Sequence, residues 1–451
     1  MATDRVIEEP SRKTPILGEY EVVVLGGGPA GIMAAAAAAR RGRSTILIER
    51  YGFLGGAGTV SGLSSFCGLH ARIHGEHRQV VHGLADELLA RIDQLDGLNP
   101  PHISFGGRIM AQAYDTAAYK MAADEMLEEA GVRLLFHAFA VGAVMADDQR
   151  IAGVLIESKS GRGAILGQIF IDCSGDGDLA YWAGAPYEKG DPRTDMLYPT
   201  TMFRINQVDP KRAGRAGETV QRLMDEAEAA GRQRFPRKGI ILLPQKHPIE
   251  WRANLTQIRK PDGSAVDGTS LEDLAWGEVE GRRQVRQVFS FIRANAPGFE
   301  ESYIVDIAPQ IGIRETRRVV GEYQLTEEDV LGCADFPDTI GVNGWPIEAH
   351  VTGQVQIRWP YDPEGRGFHQ IPYRILLPLR IENLLVAGRC ASMSHVGQSS
   401  ARVSGPCFAM GQAAGTAADL SLSVGVTPRR LEVGRLQAAL EADGVYLGTR
   451  L

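Results

Sequence analysis

A chain of 451 residues is too long for one compact core, so two or three structural units are expected. Hydrophobic residues make up 44% and charged residues 23%, ordinary for a globular protein, while 53 glycines exceed the usual ~7% and point to tight turns and close backbone approaches. A net charge of −7 and a pI near 5.9 argue against a nucleic-acid partner, because no basic stripe is available to neutralise a run of phosphates.

Residues 1–18 are polar and proline-punctuated and read as an arm. The β-branched block Glu21–Leu25 suits a buried parallel strand. It stops at a glycine cluster and hands over to an alanine-rich helix over roughly 29–42, followed by a second strand, Ser44–Glu49. This is β-turn-α-β, the unit of a mononucleotide-binding half. Residues 57–105 are irregular and histidine-rich, with one helix near 80–95 and a long helix over 108–131 beyond them. Strands follow near 132–139, 150–157 and 164–172, with Asp147-Asp148 as a turn between the first two. Residues 191–370 alternate strands and helices and form the expected α+β substrate, or cap, domain. The apolar strand Asn383–Ala387 and a small-residue helix over 406–422 then repeat the first pattern. The reading is an α/β chain. A Rossmann-type parallel sheet is built from 19–190 and 371–451, with 191–370 inserted between them.

Gly26, Gly28 and Gly31 satisfy GxGxxG where a strand ends and a helix begins. The chemistry wants Gly26 for the turn, Gly28 for backbone approach to a pyrophosphate, and Gly31 for helix–strand packing. Pro29 and Ala30 open the helix, whose free N–H groups and dipole favour phosphate. Glu49 ends the second strand, 18 residues after Gly31, with Arg50 beside it. A carboxylate there accepts from an adenosine ribose and repels a 2′-phosphate, which leaves FAD or NAD. Three features select FAD. Gly55-Gly56 offers a second backbone approach for a longer molecule, and Asp172–Asp178 ends an apolar strand on small residues, including Ser174 and Gly175. The third is the run from Gly388-Arg389 through Gly397–Gly405 to Pro406, another glycine-lined turn before a helix.

Gly26–Gly31, Glu49, Gly55-Gly56 and Asp172–Asp178 resemble the FAD domain of the glutathione-reductase-type flavoproteins. Together with Gly312–Arg318, Gly321–Tyr323, Ile371–Arg374, Asn383–Arg389, Arg402-Val403 and Ala409–Gly415, they resemble its FAD-dependent oxidoreductase family of bacterial proteins. The resemblance runs from residue 21 to about 422. It implies non-covalent FAD held by Gly26, Gly28, Pro29, Ala30, Gly31, Glu49, Arg50, Gly55, Gly56, Ala140, Ser174, Gly175, Gly388, Arg389, Ser400, Arg402 and Val403. Gly388-Arg389 stands where several flavoprotein hydroxylases carry Gly-Asp, which counts against an aromatic hydroxylase. No second GxGxxG and no CxxC pair follow, so a built-in NAD domain and dithiol chemistry are not expected.

Near the reacting atom, His395 lies between two flavin-contacting turns, and an imidazole is a suitable general base there. Arg314, in a charged segment with Arg317 and Arg318, offers a fork for a carboxylate or carbonyl, or a structural ion-pair network. Tyr373 and Arg374 enter the domain junction. His70 and His74, at i and i+4, could share a helical face, but Gly75 interrupts it and no metal is expected. Trp345, Trp359 and Phe368 read as core. Five scattered cysteines, a charged N-terminus and an alanine run too short for a bilayer give a cytoplasmic expectation with no membrane contact; homo-oligomerisation is left open. The reaction expected is hydride transfer from a small organic substrate to flavin N5. The alternatives are a monooxygenase reduced by external NAD(P)H and a non-catalytic FAD-binding or electron-transfer subunit.

Overall fold

The computed structural model describes residues 6–192, 195–351 and 353–448, so the first five residues of the expected arm lie outside it. The first strand, β1 (Ile16–Leu25), starts five residues before the sequence block suggested. Ile16–Tyr20 join it because Ala164–Gly167 pair with them in parallel, which shortens the expected arm. The next elements are α1 (Pro29–Arg40) and β2 (Thr45–Ile48), and every residue of β2 is buried, as a parallel strand covered on both faces requires.

The helix expected over 108–131 divides in two. Ile109–Ala113 is a strand paired with His102–Ser104 and with Ser65-Phe66. Only α2 (Thr116–Glu129) is helical, because the Asp115 carboxylate accepts from the amides of Ala117 and Ala118 and caps it there. Then come β3 (Arg133–Leu135), β4 (Phe139–Asp147), β5 (Arg150–Ser158) and β6 (Gly161–Asp172). The strand expected over 132–139 is thus two strands.

A second, four-stranded antiparallel sheet follows. It comprises β7 (Phe203–Asn206), β8 (Ile241–Pro244), β9 (Trp251–Asn254) and β10 (Tyr303–Ile307), in the order β8-β9-β7-β10. Helices α3 (Ala216–Ala229) and α4 (Leu271–Asn295) pack on it around Phe203, Val220, Leu242 and Val288, a core separate from that of the first sheet. Ile340, Val342, Phe368 and Ile371 belong to the first core instead.

The chain then returns as β11 (Leu384–Val386), α5 (His395–Ala401) and α6 (Ser404–Val424). The main sheet runs β3-β2-β1-β6-β5-β4. Along one edge of β6, β5 pairs antiparallel with Gly161–Leu166, and β11 pairs parallel with Phe170–Asp172. The C-terminal stretch therefore completes the sheet that the N-terminal stretch begins. The carboxyl ends of β1, β2, β6 and β11 come to one rim, tied by Gly26 N–H to Ile48 O at 2.8 Å, Cys173 N–H to Leu25 O at 2.8 Å and Ala387 N–H to Asp172 O at 3.0 Å. Among the described residues, no helix is long and apolar enough to cross a membrane.

Candidate active site

A cavity of about 910 Å³ opens at that rim, between the main sheet and the second sheet. Open α/β sheets bind ligands at such carboxyl ends, and small-molecule sites commonly span ~300–1,000 Å³. At one end stand Gly26, Gly28, Pro29, Ala30, Glu49 and Arg50. Gly26 turns with φ of 98°, and a Cβ there would lie 2.5 Å from the Cys173 carbonyl oxygen. Gly28 faces Gly56 so closely that a Cβ on Gly56 would lie 2.7 Å from the Gly28 Cα. Side chains on either residue would fill the cradle. Glu49 is buried where β2 ends; its Oε2 accepts from the Gly27 amide at 2.7 Å and its Oε1 from the Tyr51 amide at 2.9 Å.

Two helix N-termini line the cavity, that of α1 at Pro29-Ala30 and that of α6 at Ser404. Neither carries a capping side chain or an acid in its first turn. Uncapped N–H groups and two positive dipole ends on one cavity suit a ligand with separate anionic parts. Between them, Ser174, Gly175, Gly388 and Arg389 form the middle of the wall. Gly388 takes φ of 91°. Arg389 is held by Asp176 at 2.8 Å, with Thr316 Oγ1 3.3 Å from its other nitrogen.

Of the residues expected near a dinucleotide, Gly26, Gly28, Pro29, Ala30, Glu49, Arg50, Gly56, Ser174, Gly175, Gly388, Arg389, Arg402 and Val403 line the cavity. Four do not. Gly31 packs under the turn, where a Cβ would lie 1.8 Å from the Gly26 carbonyl oxygen. Gly55 makes the turn that presents Gly56, with φ of 106°. Ala140 sits in β4 opposite Ile156, and the Ser400 hydroxyl donates to the Trp345 carbonyl at 2.6 Å.

Among the expected reactive residues, only Arg314 reaches the cavity. Tyr373 and Arg374 lie outside its lining. The Tyr373 hydroxyl is buried and donates to the Pro428 carbonyl at 3.0 Å, and the Arg374 guanidinium is clamped by both oxygens of Asp338 at 2.9 and 3.1 Å. His395 is likewise outside the wall: it is the first residue of α5, with Nδ1 2.8 Å from Glu315 Oε2. Glu315 also binds Arg318, and Arg317 pairs with Asp178 at 2.9 Å, so that charged segment is a structural network apart from Arg314. The His70–Gln79 stretch is a hairpin, not a helix; His74 itself adopts φ of 47° in the turn, so His70 and His74 share no helical face. No cluster of metal-binding side chains occurs among the described residues.

The far end of the cavity holds residues that the sequence reading missed. Arg252 and Asn254 project from alternate positions of β9, and Trp345, Glu348 and His350 come from the 345–350 segment. The Trp345 indole donates to Glu348 Oε2 at 2.9 Å, and His350 Nε2 lies 3.0 Å from Glu348 Oε1. Burial, and then the charge of Arg314, push His350 well below the usual histidine range. Burial opposes ionisation of Glu348, but its hydrogen bonds and the Arg402 charge hold it below the usual carboxylate range. The dyad is therefore carboxylate and neutral imidazole. Nε2–H donates to Glu348, and Nδ1, which has no partner, is left as a buried acceptor. The i, i+2 spacings Arg252/Asn254 and Glu348/His350 are the only sequence signals, and they mark a strand face, not its partner. Trp345 is buried with Ile109 and Val403, as expected, and also lines the cavity.

A family model described as FAD dependent oxidoreductase matches residues 21–440. No curated protein matches the chain. Similar solved structures include a geranylgeranyl bacteriochlorophyll reductase-like protein from Thermoplasma acidophilum (13% identity, 96% of this chain and 94% of that one, TM-score 0.44). Another is p-nitrophenol 4-monooxygenase from Pseudomonas putida (12% identity, 96% and 90%, TM-score 0.49). The match over nearly the whole chain, on a sheet whose rim carries a glycine cradle and two uncapped helix ends, makes this protein a member of the FAD-dependent oxidoreductase family, an enzyme whose cofactor is FAD.

Proposed function

We propose that the enzyme is a dehydrogenase or oxidase that removes a hydride and a proton from a small organic molecule. FAD, when bound, supplies the two-electron acceptor. The observation that carries the reading is one cavity lined both by the glycine cradle with Glu49 and by His350, whose buried Nδ1 has no partner. In this reading the turn at Gly26–Ala30, with Gly56 opposite, holds the pyrophosphate, and Glu49 receives the ribose hydroxyls of the adenosine half. The α6 N-terminus and Arg402 face the electron-rich edge of the ring system. His350 Nδ1 accepts the proton from a substrate O–H or N–H, while Glu348 fixes the imidazole tautomer. The second sheet acts as the substrate-facing cap within 191–370.

We propose a relationship to the glutathione-reductase-type flavoproteins, a reading supported by the βαβ start and the β4-β5-β6 antiparallel connection. FAD is held without a covalent bond: Cys67, Cys173 and Cys407 line the cavity, but burial raises all three thiols, Cys67 to about 12, and leaves them poor nucleophiles. Acid precipitation should release all the flavin. The deciding experiment is anaerobic: short alcohols, amines and hydroxy acids are added to purified holoenzyme and the flavin absorbance is followed. Bleaching without NAD(P)H is expected. Bleaching only by NAD(P)H, followed by oxygen-coupled product formation, would make the enzyme a monooxygenase.

A further inference from the structure

The cavity wall carries more buried positive charge than its carboxylates neutralise. Arg252 and Arg314 are only 5% and 6% exposed and line the cavity, and Arg402 joins them there. Arg237, 1% exposed, lies behind and is satisfied by Asn254 at 2.6 Å and by the Gly239 carbonyl. The three lining guanidiniums make their hydrogen bonds to backbone carbonyls, Arg252 to Leu63, Arg314 to Tyr198 at 2.6 Å and Arg402 to Glu348 at 3.3 Å. The Nε atoms of Arg252 and Arg402 are buried with no partner. One carboxylate, Glu348, faces this group, and its oxygens are engaged by Trp345 and His350. Arg237, Arg252 and Arg314 are three buried cations against one anion, an unstable balance unless a further anion enters, because unpaired buried charge costs several kcal/mol per ion.

We infer that the substrate is an organic carboxylate whose anionic group is received by Arg252 and Arg314. The inference rests on the proposed oxidoreductase reading. In that reading the pyrophosphate is taken by the glycine cradle and the α1 terminus, so it is not the anion assigned to Arg252 and Arg314. Guanidinium forks match carboxylates in two-point geometry, and Met202, Leu242, Ile313 and Trp345 on the same wall suit a carbon skeleton beside the charge. The carboxylate would anchor the molecule with its oxidisable carbon toward the His350 side.

The test uses FAD-loaded holoenzyme and two readouts that do not need turnover, titration calorimetry and the ligand-induced difference spectrum of the flavin. Acetate, succinate and citrate are titrated against acetamide, succinamide and inorganic phosphate. The expected result is that at least one carboxylate binds at least tenfold more tightly than its amide and raises Tm. Arg252→Met and Arg314→Met should each weaken that binding at least tenfold with flavin content unchanged. Arg314→Met should also abolish the Tm rise, a check that holds even if one variant folds poorly. Carboxylates no better than amides on a fully FAD-loaded enzyme would overturn the substrate class and leave the oxidoreductase reading standing. Phosphate binding more tightly than every carboxylate would overturn it in favour of a phosphate ester. A protein that takes up no FAD would instead sink the oxidoreductase reading itself.

Discussion

Glu49 has two distinguishable jobs, and substitution separates them. Its Oε2 accepts from Gly27, which fixes the glycine turn, and each carboxylate oxygen keeps acceptor capacity beyond the backbone amide it already binds. Glu49→Arg removes the acceptor and puts a cation at its place. We expect flavin retention to fall at least tenfold in the absorbance ratio of purified protein, with Glu49→Gln losing much less; unchanged occupancy in Glu49→Arg would remove Glu49 from the cofactor site. His350 makes the second prediction. Burial and the neighbouring Arg314 and Arg237 charges favour its neutral form, and only Glu348 opposes them. A base whose pKa is depressed is already unprotonated above the ordinary value of 6.5, so the rate of flavin reduction should stay flat from pH 8 to below 6.5 and fall only in more acid buffer. His350→Gln should slow that reduction by ~10²-fold or more with FAD still bound. An acid limb centred at 6.5, or an unaffected rate, would exclude His350 as the base. The glycines and Glu49 were legible in the sequence because a turn against a phosphate restricts residue type within one short stretch. His350 and Arg252 were not, since their meaning comes from which strands face each other.

At the scale of elements, the decisive contact is between α1 and α6, which come from opposite ends of the chain. A Cβ on Gly411 would lie 2.1 Å from the Ala30 carbonyl oxygen, and one on Gly415 would lie 2.1 Å from that of Ala34. Two glycines one turn apart on α6 thus meet two alanines one turn apart on α1, and the backbones touch. This explains why both helices are written in small residues, and it brings both uncapped N-termini to the same cavity. Gly415→Val must push the helices apart, since the obstacle is backbone. We expect a stability loss of at least ~1–3 kcal/mol by denaturant titration, together with weaker FAD retention. Native stability and full flavin content would show that the helices do not set the cofactor site. The sequence carried this pairing in its composition. It did not carry the break at Asp115, because Ile109–Ala113 is apolar enough to extend the helical pattern and only its pairing with His102–Ser104 and Ser65-Phe66 makes it a strand.

For the whole molecule, the joining of distant segments around β6 was foreseeable, since Asn383–Ala387 repeats the apolar, glycine-ended form of the first strand. The intervening 339–372 stretch was not, because it packs into the first core while lying in sequence beside the second sheet. His369 sits in that stretch, 1% exposed, and ties the fold to pH. Its Nδ1–H donates to the Gln370 carbonyl at 2.9 Å, and its Nε2 accepts from Asn343 at 3.0 Å, an arrangement that needs the neutral ring. Asn343 also donates to Ser400 at 2.8 Å in α5, so the same network reaches the C-terminal return. Burial lowers His369 from 6.5 to about 4. Between those values the unfolded chain binds a proton that the folded chain refuses. The stabilisation is therefore complete above pH 6.5 and is lost as the pH falls toward 4, about 3 kcal/mol from this one group. Urea titrations at pH 7.5, 6.0 and 5.0 should show stability falling with acid. His369→Gln should be less stable at pH 7.5 yet lose less on acidification, its slope shallower by about one proton, or ~1.4 kcal/mol per pH unit. Parallel slopes for the two proteins would mean that His369 takes up its proton without unfolding, and the acid sensitivity would have to come from the cavity's own buried charges.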